Sequence, residues 1–122
     1  NHTFNHANGW KKNRLAYLSN IAECQQLFQT RLFRPPYGRI KKSQLKALNN
    51  TYKIVMWDVL SGDFDQKTTP QKCYQNVIDN VNSGSIIVFH DSEKAFDRLQ
   101  FALPQFLAHC QSQNWEMKAL SL

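Results

Sequence analysis

The chain has 122 residues, 42% of them apolar, and carries 15 Lys/Arg against 9 Asp/Glu for a formal charge of +6. That length fits a single domain over residues 1–122, and no apolar run approaches the roughly 18 residues that a membrane helix needs. The basic residues fall in short groups, Lys11-Lys12-Asn13-Arg14 and Arg39-Ile40-Lys41-Lys42, without interleaved aromatic platforms; this argues against nucleic acid and suits a solvated face or an acidic polymer.

The opening residues lack an initiator Met and are rich in chemistry at once, as expected of a fragment or processed form. His2 and His6 stand four apart, a spacing that shares one helical face or converges on one ion from a strand end and turn. Two histidines leave a metal centre short of a third protein ligand, and frayed terminal histidines are the plainer alternative. Asn8-Gly9 marks a turn before Trp10. From about Arg14 to Phe28 a helix is predicted, with Leu15, Leu18, Ile21, Ala22 and Phe28 inward and Tyr17, Cys24 and Leu27 widening the stripe. Thr30–Phe33 reads as a short strand that delivers Arg34-Pro35-Pro36-Tyr37-Gly38. The two prolines forbid helix there and Gly38 permits a sharp turn, so an arginine and a tyrosine are presented on stiff backbone.

A short helix follows over Lys41–Leu48, with Leu45 and Leu48 inward and Asn49-Asn50 as its stop. Tyr52–Asp58 reads as a buried parallel strand, ending in the polar loop Ser61-Gly62-Asp63-Phe64-Asp65. Thr69-Pro70 starts another helix, with Val77, Ile78 and Val81 buried and Gly84 as terminator. Ser85–Phe89 is the next strand and ends in His90-Asp91. A helix within Asp97–Gln111 is expected to bury Phe101, Phe106, Leu107 and Cys110, with Pro104 kinking or restarting it, and Trp115–Leu120 to form a last strand. Cys24, Cys73 and Cys110 are odd in number and far apart, so free buried thiols are expected. The alternation of strand and helix predicts a parallel α/β sheet or barrel, with Arg34, Asp63 and His90 at or beyond strand C-termini, where such folds build sites.

Taken in order, His2-Thr3-Phe4-Asn5-His6, Phe33–Gly38, Trp57–Phe64 and Ile86–Asp91 resemble the motifs of the polysaccharide deacetylase family (NodB homology, carbohydrate esterase family 4). The resemblance runs over essentially the whole chain, from the family's second motif to its fifth. It implies a partial NodB-type (β/α) barrel of about five βα units with the N-terminal strands absent, and metal-dependent removal of acetyl groups from N-acetylglucosamine polymers such as peptidoglycan or chitin, or of O-acetyl groups. On that resemblance His2 and His6 are ligands of a divalent metal, usually zinc, whose third ligand is an upstream aspartate. Arg34 would orient the catalytic base, the Tyr37 N–H would hold the oxyanion, and Pro36 and Phe64 would wall the substrate groove. His90 would protonate the leaving amine, with Asp63 orienting it; a polar cap for His90 and a turn cap for Asp63 are the plainer alternatives. The substrate class would place the protein outside the cytoplasm or at the cell envelope.

Two departures qualify the resemblance. No Asp-Asp pair occurs anywhere in the chain, so the family's first motif, with the base and one metal ligand, is absent. The family's DxxDW segment reads Leu60-Ser61-Gly62-Asp63-Phe64, with Leu for its first Asp and Phe for its Trp. The expectation is therefore a portion of a deacetylase, inactive by itself and binding metal weakly, whose missing strands are cleaved away, lie outside these residues, or are replaced by contact with another copy. A non-catalytic glycan-binding relative is the second reading and a nucleic-acid binder a weaker third.

Overall fold

The computed structural model describes residues 1–120, in two compact units, Asn1–Met56 and Trp57–Leu120. In the first unit, helix α1 spans Arg14–Leu27 and is started by Asn13, whose side-chain oxygen accepts the Ala16 N–H at 2.9 Å, satisfying one orphan donor of the first turn. Strand β1, Leu32–Phe33, pairs in parallel with β2, Lys53–Ile54, and α2, Lys42–Leu48, lies between them in sequence. The core is Ala7, Tyr17, Ile21, Phe33 and Leu48, with Leu18, Ile40, Tyr52 and Ile54 packed against it. Phe33 lies at its centre, its ring centroid 6.3 Å from Tyr17 and 5.9 Å from Tyr52.

In the second unit β3, Val59–Leu60, pairs in parallel with β4, Ile87–Val88, and helices α3, Pro70–Ile78, and α4, Phe96–Ser112, pack together. Thr69 caps α3 by accepting the Lys72 N–H at 3.1 Å, with Pro70 at its first position. Val59, Val77, Phe106 and Cys110 form the core, flanked by Tyr74, Ile78, Val81, Ile87 and Phe89.

The partial parallel α/β architecture is the one the sequence implies, and both ladders are parallel. Its elements differ in detail. The expected strand Tyr52–Asp58 shrinks to β2, Lys53–Ile54, and β3, Val59–Leu60, lies beyond its expected end. Just before β3, the Asp58 carboxylate accepts the Ser85 hydroxyl at 2.7 Å and the Ile86 N–H at 2.6 Å. This side-chain clamp holds the carboxyl below its ordinary pKa. Trp115–Leu120 is exposed and in no ladder among the described residues. Helix α3 stops at Ile78 with Asp79 as its cap, and Gly84 (φ 86°) instead sits in the later turn closed by Ser85 N–H to Asn82. Pro104 lies inside an unbroken α4.

The helix faces also differ. On α1 the buried residues are Tyr17 and Ile21, whereas Leu15, Leu27 and Phe28 are 75%, 77% and 63% exposed. On α4 the inward residues are Arg98, Ala102, Phe106 and Cys110, with Leu107 exposed and Phe101 half-buried. On α2, Gln44 shares the buried face with Leu48, and Leu45 is half-buried. All three cysteines are free, Cys73 and Cys110 buried and Cys24 half-buried.

Candidate functional site

In the first unit His2, His6, Arg34, Pro36 and Tyr37 lie together. His2 Nδ1 is 2.6 Å from the Arg34 carbonyl oxygen. A carbonyl can only accept, so Nδ1 carries the proton and Nε2 keeps the lone pair in the neutral ring. Desolvation by its neighbours pushes the His2 pKa down and favours that neutral ring, and the hydrogen bond to the Arg34 carbonyl opposes the shift. The His6 ring stands 4.9 Å from His2 and 4.7 Å from Tyr37, edge to face in both cases.

These positions depend on a loop built from short polar side chains. Asn20 on α1 accepts the N–H groups of Phe4 and Asn5 on its side-chain oxygen, at 3.0 and 3.2 Å. Buried Thr3 accepts the Ala7 N–H at 2.8 Å, and the Asn1 carbonyl accepts the Arg34 N–H at 3.0 Å, tying the loop to the end of β1. Thr3 and His6 take φ of 62° and 56°, a left-handed backbone that costs a non-glycine residue about 1–2 kcal/mol and persists only where its surroundings enforce it. Arg34 directly follows β1, with its Nε 3.4 Å from the Val55 carbonyl. Pro35 and Pro36 are fully buried and carry a 3-10 turn over Pro36–Gly38. The N–H groups of Gly38 and Arg39 close that turn on Pro35 and Pro36, both at 3.0 Å. Tyr37, at φ 59°, is exposed at its tip.

In the second unit Asp63, Phe64 and His90 come together. Asp63, fully buried, accepts the His90 backbone N–H on Oδ2 at 2.6 Å and the His90 ring on Oδ1 at 2.7 Å. With Nδ1–H given to the carboxylate, Nε2 is the nitrogen that can exchange a proton. The His90 side chain is 38% exposed, and Phe64 stands 5.1 Å from it, edge to face. The Asp63 loop is in turn fixed by its backbone. Gly62 (φ 79°) makes the turn, the Ser61 hydroxyl accepts the Asp63 N–H at 3.3 Å, and Asn76 on α3 donates to the Ser61 carbonyl at 3.0 Å. Arg98, buried on α4, donates Nε–H to the Asp63 carbonyl at 2.7 Å and a terminal N–H to the Lys94 carbonyl.

The structure thus brings the predicted residues into two clusters, one per unit, both following strand C-termini: Arg34 after β1, Asp63 and His90 after β3 and β4. The first offers two imidazoles for a cation, an arginine and a strained turn; the second offers a histidine locked in one tautomer. As a metal centre the first cluster fits by half. His2 presents Nε2 with its other nitrogen on a carbonyl, the arrangement that orients ligating histidines, but among the described residues no group of three His, Cys, Asp or Glu side chains is placed to hold an ion. Asn20, Thr3, Ser61, Asn76 and Arg98 were not foreseen as site-building residues. Their partners are backbone groups 2 to 35 positions away, which periodicity does not register; only the Ser61-Gly62 turn chemistry hinted at one of them.

No family model matches the chain. A peptidoglycan-N-acetylglucosamine deacetylase of Bacillus cereus is 30% identical over 117 residues, 86% of this chain and 42% of that protein. Among solved structures, a peptidoglycan N-acetylglucosamine deacetylase bound to an N-oxidanyl-benzamide superposes with a TM-score of 0.85 at 27% identity, over 98% of this chain and 59% of that one. A family 4 carbohydrate esterase from Streptomyces lividans, in complex with acetate, has the same fold at a TM-score of 0.83 and 23% identity, over 99% of this chain and 64% of that one. So has a family 4 pseudoenzyme from Bacillus anthracis, at 0.74 and 20% over 95% of this chain and 42% of that one. The chain therefore spans about half the length of the relatives it matches.

Proposed function

Because the chain is part of a polysaccharide deacetylase domain of the NodB-homology type (carbohydrate esterase family 4), we propose that it supplies much of the site of a metal-dependent hydrolase. That site would remove acetyl groups from an acetylated polysaccharide of the cell envelope, peptidoglycan or a chitin-like N-acetylglucosamine polymer. The observation that carries this reading is the hold of Asp63 on both the backbone N–H and the ring Nδ1 of His90. Amide hydrolysis expels a poor amine leaving group, which needs a proton delivered at the right atom. A histidine whose Nδ1 is held by a buried carboxylate, leaving Nε2 to exchange a proton, is suited to that delivery.

The other residues fit the remaining steps. A divalent ion, zinc by the character of an imidazole–carboxylate donor set, would be held by His2, His6 and an aspartate from outside these residues; it supplies a polarised carbonyl and an activated water. Arg34 offers the planar fork that orients a carboxylate base. The Tyr37 N–H lies in a turn whose two hydrogen bonds use other N–H groups, and a donor fixed in advance can hold developing negative charge without reorganising. Phe64, exposed beside His90, would wall the groove by contact alone, having no indole N–H, whereas Pro36, expected to share that role, is fully buried and offers a substrate no surface. Exposed Leu15 and Leu27 on α1 and Phe28 at its cap would offer apolar contacts for self-association or for the rest of the domain.

A second reading has support of its own. Leu60 and Phe64 stand where the family's motif has Asp and Trp, and the same fold occurs in a pseudoenzyme. On that reading the chain binds glycan without hydrolysis. Acetate release and zinc binding by the chain joined to an Asp-Asp segment separate the two. Release that stops with a chelator supports the enzyme; glycan binding with no release from any acetylated polymer supports the binder.

A further inference from the structure

We propose that the exposed face around Trp10 in the first unit binds an anionic glycan chain through residues other than those assigned to acetyl handling. Residues 1–56 carry ten Lys/Arg and a single acidic residue, Glu23, while residues 57–120 carry five Lys/Arg and eight Asp/Glu. The chain's net +6 therefore divides into +9 and −3.

Within the first unit the charge is gathered on an ordered surface. Trp10, Lys11, Lys12, Arg39, Lys41 and Lys42 are all exposed, Trp10 by 59%. The Arg39 guanidinium stands 5.0 Å over the Trp10 ring, and Lys41 Nζ donates to the Lys12 carbonyl at 2.7 Å. Fully buried Gln44 fixes this surface from beneath. Its Nε2 donates to the Gly9 carbonyl at 2.9 Å and its Oε1 accepts the Lys41 N–H at 2.8 Å. Gly9 admits no side chain, since a Cβ there would fall 2.4 Å from the Arg39 carbonyl. The ion pairs among the described residues are His90–Asp63 and Lys118–Glu116, so none of these five cations has a carboxylate partner. Five neighbouring uncompensated cations repel one another, and an anionic partner relieves that repulsion.

The single indole decides the kind of polymer. Sequence-tolerant nucleic-acid grooves use a succession of aromatic rings on which bases stack. Here one exposed ring, backed by a guanidinium, suits the apolar C–H face of a sugar, with lysines beside it for the carboxylates or phosphates along the chain. The choice of a glycan rests on the proposed function; the charge argument does not.

The test is a titration of the purified chain with three polymers: hyaluronan, which is anionic and contains N-acetylglucosamine; glycol chitin, which is N-acetylated and neutral; and duplex DNA at matched charge. The expected result is hyaluronan binding about ten-fold tighter than glycol chitin, weakening about five-fold or more between about 50 and 300 mM salt as exposed charges are screened. Trp10→Ala and the paired Lys12→Gln/Lys42→Gln variant should each weaken it about five-fold; both alter exposed positions, and circular dichroism confirms that they fold. Equal affinity for hyaluronan and glycol chitin overturns the proposal. So does DNA binding as tight as hyaluronan binding and indifferent to Trp10→Ala, which would mark a general polyanion surface. Loss of acetate release with hyaluronan binding intact strikes only the proposed function; loss of binding with acetate release from a neutral oligomer intact strikes only this inference.

Discussion

Asp63 accepts two N–H groups from one residue, the backbone and ring of His90, so replacing a carboxylate oxygen by an amide disturbs tautomer and loop together. Asp63→Asn is expected to lower turnover, and His90→Ala to lower it on the order of 10²–10⁴-fold, the usual range for a general acid. Zinc affinity measured by competition with a chelating dye should stay unchanged in His90→Ala. Loss of metal with activity would instead put His90 among the ligands. Tyr17 gives a stability test independent of catalysis. Its ring is fully buried and its hydroxyl has no partner in the described structure, and burial pushes its pKa from 10 up to about 12. Below pH 10 both folded and unfolded tyrosine are neutral, so the group adds no pH dependence. Between the two values the unfolded chain ionises first, and stability falls as pH rises, by at most ~3 kcal/mol. Tyr17→Phe should abolish that fall in urea melts at about pH 9 and 11.5, and raise stability near neutrality by ~1 kcal/mol by removing an unsatisfied hydroxyl. A variant as alkali-sensitive as the parent would place the titration elsewhere.

At the scale of elements, two helices owe a buried position to a polar residue. Gln44 on α2 closes the helix start and holds the loop at Gly9 and Lys12, so Gln44→Ala strands buried carbonyls and should cost about 1–3 kcal/mol in denaturant melts. Arg98 on α4 acts on the Asp63 loop through its backbone carbonyl, which makes it a positioning residue. Arg98→Met should speed exchange of the His90 amide hydrogen, lower kcat more than it raises KM, and leave zinc binding alone, with Arg98→Lys restoring part of the loss. Unchanged His90 exchange would reduce Arg98 to a packing role. These two residues also explain where helix faces were misread. On α1 the predicted stripe included Ile21 and, at its edge, Tyr17, which the core takes, but also Leu15 and Phe28, which it leaves exposed, because a helix apolar on several sides does not declare which side is covered. On α2 and α4 the core admits Gln44 and Arg98 because backbone carbonyls about 35 residues away satisfy them, a pairing no local period encodes. Starts were more legible: Thr69-Pro70 reads correctly because a cap and an N-terminal proline act within one turn.

At the scale of the whole chain, the parallel α/β pattern and the positions of Arg34, Asp63 and His90 past strand ends were legible, since buried strands and turn residues both mark such boundaries. The shortening of Tyr52–Asp58 to Lys53–Ile54 was not, nor the further strand Val59–Leu60, before which the Asp58 side chain takes the Ile86 N–H. Nor was the final extended segment, whose apolar letters read as strand although no partner strand lies beside it among the described residues. The candidate chemistry divides with the units: His2, His6, Arg34 and Tyr37 in the first, Asp63 and His90 in the second. With two imidazoles and no third ligand among its described residues, the chain alone should bind zinc weakly, and His2→Ala or His6→Ala should remove even that. Calorimetric titration checks it; binding untouched by both substitutions would move the metal elsewhere. The most direct test of the central claim is acetate release from N-acetylated peptidoglycan and chitin oligomers by the chain joined to an Asp-Asp segment. The account predicts release that stops on chelation, returns with zinc and is lost in His90→Ala; release indifferent to His90, or none from any acetylated glycan, would contradict it.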